Sequence, residues 1–540
     1  MSDSYSAATT PTVSGFSSQG HKSASHSPRV ATQTSLDTTY AGEVIPPYTD
    51  RRTLVLCFDG TGDQFDSDNS NVVQFFAMLK KGDKDQQLVY YQAGIGTYTI
   101  PQIATPFYAK LSKTLDAMIA IDLNHHVMGG YEFLMENYKE GDKICIFGFS
   151  RGAYTARALA GMIHKVGLLP NGNHQQVPFA YRMYMKDDAK GWEQSVLFKK
   201  TFSMDVDIEF VGVWDTVASV GLIPRRLPFT KSNTAIKTFR HALSLDEHRA
   251  KFKANNYQVL TDEEAARADF APQRENKAKH EHNHVQHDSK AILEDIVDAA
   301  KNGSDAIKRV GSSNSGKHDE IEGEGRKRRL ELMYTDRSRP TDVLEVWFAG
   351  CHCDIGGGSV PNDMRHSLAR LPLRWMIRQC FLTNTGIQFQ ADKLRDIAGI
   401  DPTTLYPKVH PRPPPLAIPN PPPITPMDPP KGKAAASAAA EEFSGEEEEE
   451  LRDALCPIYD QLKLAPPWWI LELLPMREHV QKEDGTWTKT IGLNLARPRV
   501  LPHQTKNGIR VHRSVKMRME VQELEYKPRL RFEVDPIWED

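Results

Sequence analysis

KICIFGFSRGAYTARALAGMI, residues 143–163, passes from a short apolar run through Gly148-Phe149-Ser150-Arg151-Gly152 into an alanine-rich amphipathic stretch. The first run is short and almost wholly apolar, which suits a strand buried on both faces of a parallel sheet. The stretch after it reads as a helix, so the G-x-S-x-G pattern falls at a strand-to-helix turn. That context gives the pattern chemical meaning. A sharp turn strains the serine backbone, glycines at 148 and 152 let strand and helix pass closely, and the hydroxyl stands exposed above the sheet. Ser150 would then sit at a helix N-terminus, where the dipole and free N–H groups favour developing negative charge. An ordinary β-turn-α connection is the alternative reading of the same residues.

On either side the texture repeats. LVLCF (54–58), LVYY (88–91), IEFVGVW (208–214) and VLEVWFAG (343–350) have the length and composition of buried strands. Between the second of these and residue 143, Leu115, Ile119, Leu123, Val127, Tyr131 and Leu134 recur at helical spacing before Gly141. Alternation of strand and helix predicts an open, mainly parallel α/β sheet flanked by helices. The first 46 residues are rich in Ser and Thr and read as a disordered tail, with the catalytic core expected over 47–400. Two inserts interrupt that pattern. Residues 261–340 carry 32 charged residues in 80, with one amphipathic stretch at SKAILEDIVDAAKN, and residues 401–450 run through 13 prolines into a glutamate run that reads as an extended, acidic linker or loop. Residues 451–540 are expected to supply a cap, with ARPRV, GIRVH and LEYKPRLRF as late β segments.

Composition narrows the function. With 67 Lys and Arg against 70 Asp and Glu, the net charge of −3 supplies no drive toward nucleic acid. Six cysteines at 57, 145, 351, 353, 380 and 456 are too few and too irregular for a disulfide framework or a CxxC zinc site. His280, His282, His284 and His287 lie in a charged insert with no packed context to fix ligand geometry, so no metal is expected there. The N-terminus has neither a secretory h-region nor a transit-peptide pattern, and no stretch is long and apolar enough to span a bilayer. A cytoplasmic location is the expectation, with any membrane contact peripheral.

A serine alcohol needs a base, and the base needs a carboxylate to orient it. In the chain order Ser, acid, His, Asp215 follows the strand IEFVGVW and His352 follows VLEVWFAGC. Asp354 is two residues from His352 and reads better as a loop-fixing group. His241 and His248, in HALSLDEH, look helical; His512 falls in a late β segment. The loop Asp59-Gly60-Thr61-Gly62 lacks the second carboxylate that an aspartate-nucleophile phosphatase requires. Backbone N–H groups of Gly60 and Thr61 are instead candidates to join that of Arg151 in an oxyanion hole, a tight turn closed by Asp59 on its own backbone being the alternative. Gly94-Ile95-Gly96 is too short for a dinucleotide fingerprint. Trp468 and Trp469, in the apolar stretch 464–476, read either as core packing beneath a cap or as an acyl-binding wall or lipid-facing surface.

FDGTGD (58–63), YYQAGIGTY (90–98), GFSRGAYTARALAG (148–161), GVWDTVASVG (212–221), HALSLDEHR (241–249) and FAGCHCDIGGG (348–358) together resemble the α/β-hydrolase family of type VI secretion phospholipase effectors, the first lipase-effector class, and its uncharacterised fungal relatives. The resemblance covers most of 51–400, with VHRSV (511–515) similar to the family's C-terminal part. It implies a triad of Ser150, Asp215 and His352, the same residues that strand-end position and chain order select. The expectation is therefore a serine esterase of phospholipase type with no cofactor, acting on a lipid or other ester. A non-catalytic interaction protein on a hydrolase fold is the rival.

Overall fold

The computed structural model describes residues 43–60, 63–94, 108–217, 227–230, 232–257, 330–331, 340–416, 443, 445–481, 487–502 and 504–540; in 108–122, 476–481 and 487–491 it describes the backbone alone. Eight strands form the main sheet: β1 (Thr53–Phe58), β2 (Gln87–Gln92), β3 (Lys143–Phe149), β4 (Ile208–Trp214), β5 (Ile236–Ser244), β6 (Asp342–Phe348), β7 (Arg510–His512) and β8 (Ile537–Glu539). Their order is β8-β7-β6-β5-β4-β3-β1-β2, and every neighbouring pair is parallel. All strands therefore end at one edge. Phe58 is in register with Gly148, Gly148 with Val213, and Ser244 with Phe348, so the segments leaving β1, β3, β4 and β6 emerge side by side.

Both faces of the sheet are covered, which is why its central strands alternate between two sets of apolar residues instead of between apolar and polar ones. Leu54, Leu56 and Phe58 of β1 join Ile144 and Ile146 of β3 and Val211 and Val213 of β4 in one cluster. That cluster is closed by Tyr131 of α2 (Tyr108–Asn137), Leu159 of α3 (Ser150–Val166) and Tyr181 of α4 (Val177–Met185). The expected helical positions Leu123, Val127, Tyr131 and Leu134 are all buried in it. On the opposite face Phe75 of α1 (Asn71–Met78) lies 4.3 Å, ring to ring, from Phe147, and Trp214 donates from Nε1 to the Pro372 carbonyl of the helix Arg370–Leu382 at 3.3 Å. Each such side chain contributes roughly 1.5–3 kcal/mol on burial. The result is an α/β-hydrolase-like fold.

The strand-to-helix turn at 148–152 is as tight as its glycines imply. A Cβ on Gly148 would lie 2.5 Å from the Gly152 carbonyl oxygen, and a Cβ on Gly152 would lie 2.3 Å from those of Phe58 and Asp59. Ser150 itself adopts φ 58°, in the left-handed region that a non-glycine residue occupies only at a cost.

Several expectations change. HALSLDEH is not helical: residues 236–244 form β5, an interior strand. Arg240 and His241 interrupt its apolar run. Both are buried but paired, Arg240 with Gln379 and Asp342 and His241 with Glu345 and the Thr216 N–H. The glutamate run is no extended linker where it meets the fold. Glu446–Ala454 is a helix whose carboxylates are buried against arginines: Arg374 Nη2 lies 2.6 Å from Asp453, Arg378 Nη2 2.7 Å from Glu446 and Arg412 Nη2 2.8 Å from Glu447. Guanidinium forks and four acidic residues in the first turn, where the helix dipole is positive, make this sequence helical in context. Of the late β segments GIRVH supplies β7, whereas ARPRV and LEYKPRLRF are irregular and Ile537–Glu539 supplies the final strand. The histidines 280–287 and SKAILEDIVDAAKN lie outside the described residues. Among the described residues no helix is long and apolar enough to cross a membrane, and no group of three or more His, Cys, Asp or Glu is placed to hold a metal ion.

Candidate active site

Three of the segments leaving the sheet edge meet. Ser150 begins α3 directly after β3. Asp215 follows β4 with φ 40°, a second non-glycine residue in the left-handed region. His352 opens the short helix His352–Gly356 after β6, and that loop is fixed by Asp354, whose Oδ2 accepts the Cys351 and Tyr459 N–H groups at 2.8 and 3.1 Å. Asp354 thus has the loop-fixing role expected of it, and burial pushes its carboxyl up to about 7.

Ser150 Oγ lies 2.8 Å from His352 Nε2, and His352 Nδ1 lies 2.5 Å from Asp215 Oδ2. The carboxylate accepts the Nδ1–H, which leaves Nε2 free to accept the serine proton. All three side chains are buried. The imidazole is clasped by Phe149 and Phe252, with ring centroids 4.7 and 4.8 Å away, and its backbone N–H donates to Glu247 Oε2 at 3.2 Å. Burial lowers the His352 pKa; Asp215 opposes that by hydrogen bond and charge, Arg249 adds to it, and the net shift is downward.

Asp215 is held by more than the histidine. Arg499 grips it with both terminal nitrogens, Nη1 to Oδ1 at 2.6 Å and Nη2 to Oδ2 at 2.8 Å, and Ser244 N–H donates to Oδ1 at 3.0 Å. Arg499 also donates to the carbonyls of Ser244 and Phe252, so one guanidinium ties the carboxylate to the segment carrying the aromatic wall. Burial alone would raise the Asp215 pKa, but Arg499 and His352 outweigh it and hold the carboxyl far below its usual range. Sequence reasoning missed Arg499. It lies 284 residues from Asp215 in a stretch with no periodic signal, and only its placement between prolines at 498 and 502 hinted at a fixed coil.

The oxyanion candidates separate. The Arg151 N–H is in the first turn of α3, where no intrahelical acceptor exists. The Gly60 N–H donates to Asp59 Oδ1 at 2.8 Å, the self-closed turn that was its alternative reading. Ser70 Oγ and Tyr91 Oη donate to the same carboxylate at 2.6 and 2.7 Å. Thr61 lies outside the described residues. The rival histidines are placed away from Ser150. His241 is a buried strand residue bonded as described above, His248 bonds Asp460 at 2.9 Å, and His512 bonds Ser514 and stacks on Phe348, its pKa pushed down by burial to about 3. Trp468 is half-buried, edge-on to Phe252 at 5.4 Å, while Trp469 is 42% exposed, so simple core packing fails for the second indole.

An eight-stranded parallel sheet carrying a strained serine between strand and helix defines an α/β-hydrolase-like protein. Within that class, the chain belongs to the family of the T6SS phospholipase effector Tle1-like catalytic domain, whose profile matches residues 52–379. The chain is 28% identical to the uncharacterized protein YEL023C of Saccharomyces cerevisiae, over 84% of this chain and 77% of that one. Among solved structures it is similar to an uncharacterized protein from Pseudomonas aeruginosa, with TM-score 0.29, 17% identity and coverage of 62% of this chain and 46% of that one. It is also similar to the Tle1 effector bound to the VgrG spike of the type 6 secretion system, with TM-score 0.26, 16% identity and coverage of 59% and 53%. The chain spans about half the length of these two structures.

Proposed function

We propose that this protein is a serine hydrolase that cleaves a carboxylic ester of an acyl lipid, using Ser150, His352 and Asp215. The observation that carries the reading is the continuous hydrogen-bonded row from Ser150 Oγ through His352 to Asp215, set at the strained turn after β3. Ser150 Oγ attacks the acyl carbonyl carbon while His352 Nε2 takes its proton, and Asp215 steadies the imidazolium through Nδ1–H. The oxyanion forms beside the first turn of α3, where the Arg151 N–H and the helix dipole stabilise it. Collapse of this intermediate expels the alcohol, which leaves with the proton from His352. A water then attacks the acyl-enzyme, giving its proton to the same nitrogen, and the carboxylic acid departs as Ser150 is regenerated. Membership of a phospholipase effector family supports an acyl lipid as the substrate class.

A fluorophosphonate probe tests the nucleophile directly. The wild-type chain becomes labelled and Ser150→Ala does not, with thermal unfolding little changed because the substitution removes one hydroxyl and its hydrogen bond to His352. A folded wild-type chain that never labels would sink the reading in favour of a non-catalytic interaction protein.

The pH profile supplies a second test. Burial keeps His352 neutral to lower pH than a free imidazole, against the pull of Asp215 and Glu247 and with the help of Arg249. The acid limb of kcat/KM, which reports the free enzyme's base, should therefore fall below 6.5, the ordinary imidazole value. An acid limb above that value would contradict the assignment.

A further inference from the structure

We propose that the surface formed by Trp469, Ile470 and Leu473 together with Leu493, Leu495 and Val500 docks this protein on a lipid bilayer; that it presents lipid to Ser150 rests on the hydrolase reading above. Soluble proteins scatter single exposed apolar residues, but here six large ones cluster on two segments, Ile470 being 52%, Leu473 59% and Val500 73% exposed. The two segments are locked together. The buried Glu472 carboxylate accepts the N–H groups of Ala250 and Ala496 at 2.6 and 2.9 Å and the Asn494 side chain at 2.5 Å.

The display of these side chains is built into the backbone. Leu495 and Ala496 have φ 48° and 54°, two consecutive non-glycine residues in the left-handed region, an arrangement costly for L-residues that turns Leu495 toward water. The Trp469 indole N–H is satisfied inward, by the Leu462 carbonyl at 3.1 Å, which leaves the ring's apolar part outward. Indoles held this way sit favourably at a membrane interface.

Charge selects the occupant. Over residues 463–475 and 492–500 the exposed ionisable side chains among those described are Lys463 and Arg497, both cationic; Glu472 is turned inside. Among the described residues of these two segments, apolar side chains flanked by cations with no exposed carboxylate match an anionic bilayer surface. The face is also continuous with the site. Trp468 touches Phe252, Phe252 touches His352, and Val500 follows the Arg499 that grips Asp215. With no membrane-crossing helix among the described residues, the contact is peripheral.

The test separates docking from catalysis. Full-length Ser150→Ala protein is sedimented with phosphatidylcholine vesicles and with vesicles of phosphatidylcholine and phosphatidylserine, and compared with the same protein carrying Ile470→Asp and Leu473→Asp. The parent should pellet with vesicles, more strongly with the anionic ones, and the double substitution should weaken binding by on the order of ten-fold or more. Placed in the active chain, the same two substitutions should leave melting temperature and short-chain ester hydrolysis unchanged, since both side chains are exposed. Equal binding by the variant overturns the proposal. So does absence of vesicle binding by the parent, which, with an Ile470- and Leu473-dependent dimer in sedimentation velocity, would assign the face to a second copy of the chain. If vesicles bind through the patch but the active chain hydrolyses no ester, the hydrolase reading fails and the docking stands.

Discussion

His352→Ala should lower kcat/KM for a soluble short-chain ester by at least about 10⁴-fold, the scale on which triad substitutions act. Its structural cost should be only that of a cavity, roughly 2–4 kcal/mol, because Asp215 keeps Arg499 and the Ser244 N–H as partners. Asp215→Asn should match that kinetic loss but differ in stability. It leaves the buried Arg499 guanidinium without its counter-charge, and breaking a buried pair in this way costs about 3–5 kcal/mol. Two variants alike in turnover and unlike in melting temperature would separate the proton-handling role of the histidine from the dual role of the aspartate. His241→Asn and His512→Asn serve as controls that should retain turnover within roughly ten-fold, since neither ring reaches Ser150. Full turnover in His352→Ala would transfer the role of base to another residue.

The parts of this architecture that were legible from sequence share one physical property: their signal is local. GFSRG declares a turn because two glycines and a serine must stand at fixed offsets, and the crossing distances at Gly148 and Gly152 bear that out. Asp215 and His352 were selected because each follows an apolar strand, and parallel strands deliver their ends to one edge. What escaped is where a charge is made acceptable by a distant partner. Arg240 and His241 interrupt the apolar pattern of β5, yet Asp342 and Gln379 pair with Arg240 and Glu345 with His241 inside the sheet. The glutamates of 446–450 read as a solvated linker, yet arginines 84 and 63 residues away hold them, Arg365 at Glu449 and Arg513 at Glu450. Arg499 escaped for the same reason: nothing in ARPRV reveals that its guanidinium belongs to a carboxylate on another segment.

That guanidinium leads to the remaining large effect. Arg499→Met should destabilise the chain by about 3–5 kcal/mol, because Asp215 is left buried with only His352 and one backbone N–H to balance it. It should also move the acid limb of kcat/KM upward. With Arg499 present much of the carboxylate's field is spent on the guanidinium. Without it that field falls on the imidazole, stabilises the protonated ring and raises its pKa, so that less neutral base remains at a given pH below neutrality. Activity should therefore fall more at pH 6 than at pH 8, a pattern that a purely structural loss would not produce. The wild-type pair contributes stability at any pH above the unfolded carboxyl's value of about 3.9, and that contribution is lost as the pH falls from there through the depressed folded value of Asp215. Arg499→Lys retains the charge but cannot span both carboxylate oxygens and the Phe252 carbonyl, so it should restore the position of the acid limb more fully than the melting temperature. An unshifted acid limb in a folded Arg499→Met protein would show that the guanidinium holds the carboxylate in place without tuning the base.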